Sequence, residues 1–220
     1  MWSKRHEFHY TGTTAQPDKA LEMALRCPDK PVFITDSGDN VTSGAQGANT
    51  FILRQVLAAP NLHKKVLFAA IHDANLCHTL RSLPVDAVAT ASVGMGLDAL
   101  SAPVPLTLRV LYKGTQEGTH MYGEDGSYGP LVTAAVEGTS LVLVFTDNNH
   151  SFVEEHQLDA CGVDWKNFDI IVVKQGYIHP ELKAAGALCV MSLTDGATPQ
   201  DTRLILFKRI MRPMFPIDEI

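Results

Sequence analysis

At 220 residues the chain can bury roughly 70% of its unfolded surface as one large domain, so it needs no staple to fold. Hydrophobic residues make up 45% and charged residues 19%, which excludes a disordered chain. The net charge of −6 gives no reason to expect nucleic acid or an anionic membrane surface as partner, and no apolar run reaches the ~20 residues that span a bilayer.

Helix signals open the ordered part. In "PDKALEMALRC" (17–27) Pro17 and Asp18 suit an entry, and Ala20, Leu21, Ala24 and Leu25 form an apolar stripe. "PVFIT" (31–35) reads as a short buried strand, and after the loop from Asp36 to Asn49 the segment 49–59 reads as a helix capped by Asn49 or Thr50. "KKVLFAAI" (64–71) is a second buried strand, and 73–83 a helix with Asp73 placed to cap it. Strand, loop, helix, strand, helix implies a βαβ unit with a parallel pair.

From Asp86 to Phe145 glycine interrupts β-branched runs, which predicts antiparallel strands and hairpins, with Glu137-Gly138 as a turn. Residues 150–162 return to helix with Gly162 as its C-cap. A strand at 168–174, a short helix at 179–186 and a strand at 187–193 close the pattern. The fold class is α/β, a mixed sheet with βαβ units and an antiparallel β-rich middle section, all in one domain spanning 1–220. Cys27, Cys77, Cys161 and Cys189 are widely spaced without a CxxC pair, the usage of reduced thiols in a cytoplasmic protein. The N-terminus is basic with no apolar stretch behind it, so no secretory signal is predicted.

The loop 36–49 follows a strand and precedes a helix, where open α/β sheets bind ligands. Gly38, Gly44 and Gly47 allow close backbone approach, and the following helix start favours an anion. Neither GxxxxGK[ST] nor GxGxxG occurs here. Asp36, Asp39 and Asn40 offer hard oxygen ligands, although two carboxylates are few for a metal cage. The competing structural reading is a glycine-rich turn with Asx-turns and a cap. Ser43 has no local general base, and without GxSxG a serine hydrolase is a poor fit.

His72 and Asp73 lie at a strand end on the same edge. Lys174 sits just beyond a strand and could steer a carboxylate or phosphate, and His179 at a helix start could carry a proton. Taken singly, a snorkelling lysine and a capping histidine are the more ordinary readings. His150 and His156, six apart on a predicted helix, point to different faces and read as solvated. HExxH is absent, and no complete set of zinc ligands is visible along the chain.

Four separated motifs are similar to the C-terminal domain of the MlrC family, the microcystinase-like zinc metallopeptidases: 31–57, "AAIHDANL", "FDIIVVKQGYIHPELKAAG" and "RIMRPMFPIDEI". The family loop D-x-x-D-N-P-G-G-G-x-P-G-D-x-T is matched by Asp36, Asp39, Asn40, Gly44, Gly47 and Thr50. Val41, Thr42, Ser43 and Gln46 depart from it, and Ala48 replaces the second aspartate. "WSKRHEF" resembles the helix leading into that domain, so residues 1–16 read as a remnant of an interdomain helix.

The resemblance implies that zinc and the main catalytic residues belong to a larger N-terminal domain, on the same or a separate chain. This chain would then hold no metal or cofactor of its own and be inactive alone. It would form part of a cleft for a peptide or amide substrate through Asp36, Asp39, Asn40, Ser43, Gly44, His72, Lys174 and His179. Two alternatives stand beside it: a stand-alone small-anion-binding module, and an independent divalent-metal hydrolase using Asp36, Asp39, His72 and Asp73.

Overall fold

β-branched and aromatic runs separated by amphipathic helices fold into one mixed sheet. The computed structural model describes residues 2–60, 62–120 and 126–220. Its strands are β1 (Thr13–Ala15), β2 (Val32–Asp36), β3 (Val66–His72), β4 (Val88–Val93), β5 (Val104–Glu117), β6 (Ser127–Val136), β7 (Leu141–Thr146), β8 (Ile170–Val173) and β9 (Leu188–Ser192). Among the described residues their spatial order is β1-β9-β2-β8-β3-β7-β6-β5-β4. The pairings from β1 through to β7 are parallel, and those from β7 through to β4 are antiparallel.

The central strands are buried on both faces, and their side chains alternate between two cores. Val32 and Ile34 of β2, Val66 and Phe68 of β3, and Ile170 and Val172 of β8 join one core. Phe33, Leu67, Ile171 and Val173 join the other. The helices α1 (Pro17–Arg26), α2 (Phe51–Ala58) and α3 (Ala74–Ser82) cover the first core with Leu21, Ile52, Leu53, Leu76 and Leu80. The helices α4 (Glu155–Asp159) and α5 (Pro180–Ala185), with Trp165, cover the second. Each large side chain so buried contributes roughly 1.5–3 kcal/mol.

Several expectations hold. Pro17 begins α1, Asp73 caps α3 by accepting the Leu76 N–H at 3.0 Å, and Gly138 turns the β6–β7 hairpin with φ +74. Others are corrected. β2 and β3 are parallel but not neighbours, because the all-apolar β8 lies between them, where both its faces are covered. The antiparallel β-rich middle section does form, and β7 joins it to the parallel strands by pairing with β3. Helix 150–162 shrinks to Glu155–Asp159. Gln157 Oε1 accepts both the Val153 and Glu154 N–H groups and starts the helix late, while Phe152 is buried in extended chain. Part of the expected strand region 119–129, residues 121–125, lies outside the described residues. Near the N-terminus, Trp2–Glu7 form a 3-10 helix, and Thr13–Ala15 join the sheet.

The carboxyl ends of β2, β3, β7, β8 and β9 lie on one edge of the sheet. The β5–β6 connection falls on that edge too, because Leu131 of β6 pairs with Thr146 at the end of β7 and Glu117 pairs with Ser127. No helix among the described residues is long and apolar enough to cross a membrane.

Candidate functional site

Where β2 ends, the chain turns sharply through Ser37–Asp39 and Val41–Ser43, two 3-10 turns. A Cβ on Gly38 would meet the Asp195 carbonyl oxygen at 2.1 Å, so only glycine lets this turn press against the loop that follows β9. Gly44 (φ +96) and Gly47 (φ +73) take left-handed conformations that return the loop toward α2.

Asp36, Asp39 and Lys174 converge beneath this loop, and all three are buried. Lys174 Nζ lies 2.8 Å from Asp36 Oδ2, 3.0 Å from Asp39 Oδ2 and 2.6 Å from the Asn49 carbonyl. Those contacts use all three donors of the ammonium. Burial alone would push its pKa down, but the two carboxylates outweigh that and hold it above the ordinary 10.5. Asp39 also accepts the Gly47 and Asn49 N–H groups, each at 2.8 Å, and Asp36 accepts the Thr194 hydroxyl at 2.5 Å. The backbone and Thr194 therefore offset the surplus negative charge.

The other candidate residues divide by exposure. Asn40 is buried and organises the turn: its Oδ1 accepts from Thr42 N and Oγ1, its Nδ2 donates to Ser43 Oγ, and its N–H donates to Thr198 Oγ1. Thr42, Ser43, Gly44 and Gln46 form the exposed tip. His72 is half-buried, with Nδ1 3.0 Å from the Gln46 carbonyl. His179 is half-buried at the start of α5, its N–H held by Gln175 Oε1 at 2.9 Å. A cavity of about 80 Å3 lies beside the loop, lined by Asp39, Ala48, Asn49, Asp98, Ser101 and Gly196.

Thr194 and Thr198 escaped sequence reasoning, although both bind the loop: Thr194 Oγ1 accepts from Gly38 N, and Thr198 Oγ1 donates to the Ser37 carbonyl. The only signal for them is the polar "LTDGAT" run directly after a strand.

Zinc needs ligands that donate electron pairs at about 2.0–2.2 Å. Asp36 and Asp39 surround an ammonium instead, and Asp73 caps α3. The loop residues and their neighbours do not fit that ion. A different group does gather side chains of the right kind: among the described residues, ligand atoms of His120, Glu154 and His156 lie within 4.8 Å of one another. His156 is half-buried rather than solvated, and His150 stacks on Tyr128 at 3.7 Å between ring centroids.

Against known proteins, the MlrC C-terminus family matches residues 34–209. No curated protein matches significantly. The crystal structure of a candidate metallopeptidase from Mesorhizobium sp. BNC1 shares the fold with a TM-score of 0.75 at 21% identity. That match covers 100% of this chain and 44% of the other, so this chain spans under half of that protein's length.

Proposed function

The chain belongs to the MlrC C-terminus family, and from that premise we propose that it is the accessory half of a metallopeptidase or related amide hydrolase. Its carboxyl edge packs against an N-terminal, zinc-bearing domain on the same or a separate chain. Together the two halves enclose a cleft for a peptide or amide substrate. In this reading the buried Asp36, Asp39, Asn40 and Lys174 hold the loop in shape. The exposed Ser43–Gly44 tip, with His72 and His179 beside it, faces the partner domain and the substrate. The observation that carries the proposal is the family match over 34–209, with the family loop in place at the end of β2.

Pairing experiments test it. The 220-residue chain alone, supplied with zinc, is expected to leave a panel of peptides and amides uncut. Mixing it with the N-terminal domain of a family metallopeptidase should restore turnover, and Ser43→Trp at the exposed tip should weaken that restoration without unfolding the chain. Turnover by the chain alone, or an N-terminal domain equally active without it, would sink the accessory reading.

The buried cluster speaks against the two alternatives. An anion would find no open donor on Lys174, whose three contacts are internal. The four residues of an independent metal hydrolase are likewise engaged, His72 with Gln46 and Asp73 as a helix cap.

A further inference from the structure

We propose that the edge strand β4 is an association surface whose occupant is β4 of a second copy of this chain, paired antiparallel about a two-fold axis at Thr90. The inference does not rest on the accessory reading, which concerns the carboxyl edge of the sheet.

The backbone of the strand is the first ground. β4 ends the sheet and pairs with β5 alone, with Thr90 opposite Thr107. The Thr107 carbonyl accepts the Glu137 N–H at 2.9 Å, on the side of β5 away from β4. Thr90 and Thr107 are therefore a pair that exchanges no backbone hydrogen bonds, and the Thr90 N–H and C=O point out of the sheet. Two residues along in each direction, Val88 and Ser92 point the same way, and Pro105 opposite Ser92 has no N–H to give. Among the described residues no other strand or loop backbone bonds these outward groups.

The side chains are the second ground. Sheets blunt an edge with charge, proline, a bulge or a very short strand. β1, at the far edge, has three residues. β4 has six, with no charge, no proline and no break in register. Val88 is exposed within it, and Val85, Met95 and Leu97 are exposed beside it. The strand's own pattern decides what fits. A one-residue slip would set the half-buried Ala89 and Ala91 against the bare face, so even-numbered residues must oppose even-numbered ones. Centring on Thr90 is the register that matches all three outward residues: Thr90 with Thr90, and Val88 with Ser92 twice. At two bonds per pair this gives about six hydrogen bonds. The same centre sets Ala89 against Ala91 on the covered face. Asp86, the nearest charged residue, falls opposite Gly94, so no like charges meet. A strand that complements itself about its own middle makes an isologous contact, closed at two copies.

Sedimentation velocity of the 220-residue chain over a concentration series should show a monomer–dimer equilibrium. Thr90→Pro removes an N–H that β5 does not use, twice per dimer, and should weaken association by about tenfold or more. Thr90→Lys sets two ammonium groups face to face at the axis and should do the same. Mixing Thr90→Lys with Thr90→Asp should restore association above that of either alone, because lysine then faces aspartate. Thr14→Lys on β1 should leave the dimer unchanged. Circular dichroism checks that each variant is folded, and the charge pair keeps the test decisive if the proline variant is not. A wild-type chain that stays monomeric overturns the proposal, the result expected if an N-terminal domain covers β4 instead. So does a dimer that survives both Thr90→Pro and Thr90→Lys, or a mixture no better associated than its parts. Dimerisation and the pairing assay fail independently.

Discussion

Two stretches of the carboxyl edge hold clustered ionisable side chains under opposite conditions. Beneath the loop 36–50, Lys174 and two aspartates are buried, and hydroxyl and amide donors take up the remaining carboxylate oxygens. Beyond β5, two histidines and Glu154 sit between core and solvent, His156 Nδ1 lying 3.6 Å from Glu154 Oε2. The stretches are tied through one residue: the Lys174 carbonyl accepts both the Val41 N–H at 3.2 Å and the Ser151 hydroxyl at 3.1 Å. A closed cluster serves the framework, because everything that could bind a ligand is already bound. The motif-rich loop carries the buried cluster, and the pair of histidines without a motif carries the one nearer solvent.

The contrast should be greatest at Lys174. Removing one member of a buried ion cluster leaves uncompensated charge and costs about 3–5 kcal/mol. Lys174→Met should therefore lower the urea midpoint sharply while leaving the slope unchanged. Adding Asp36→Asn and Asp39→Asn to that variant should recover part of the loss, since the two bare carboxylates are then gone. A midpoint for Lys174→Met close to that of the wild type would break the comparison, because the cluster would then not be closed.

Alkaline titration sharpens the same point with a smaller effect. The Lys174 pKa is raised above 10.5 by its two carboxylates. Its contribution is fully present below that ordinary value and is lost as pH rises through the higher folded value. Burial of Cys77 pushes its thiol from 9.0 up to about 12, so that group erodes stability from a lower pH in every variant that keeps it. The difference between wild type and Lys174→Met isolates the lysine. It should stay level from neutrality to 10.5 and shrink above it. Denaturant melts in a pH series measure this, and a difference that grows with pH contradicts the assignment.

How far the sequence reveals this arrangement depends on how far apart the partners lie along the chain. Local signals place β2, β3, β8 and α1 to α3 well, because burial on both faces or on one stripe writes its own period. The same signals put Asp36, Asp39 and Lys174 at strand ends. They do not say that Lys174, 138 residues from Asp36, reaches it. That follows only from β8 lying beside β2, and adjacency in a parallel sheet has no local signature. Thr194 is hidden for the same reason. His120 and Glu154 are 34 residues apart, joined across a hairpin connection and the late start of α4. A helix drawn from 150 to 162 turns His156 away from its partners, so one boundary error conceals the cluster.

The smallest expected effect tests the solvent-facing side of the contrast. His156→Ala forfeits one hydrogen bond to Gly118 and a ring stack at a side chain 32% exposed. A net intramolecular hydrogen bond contributes about 0.5–1.5 kcal/mol, so the variant should lose about 1 kcal/mol, well short of the loss at Lys174. Urea melts of the two variants measure this, and a loss at His156→Ala as large as that at Lys174→Met would break the comparison.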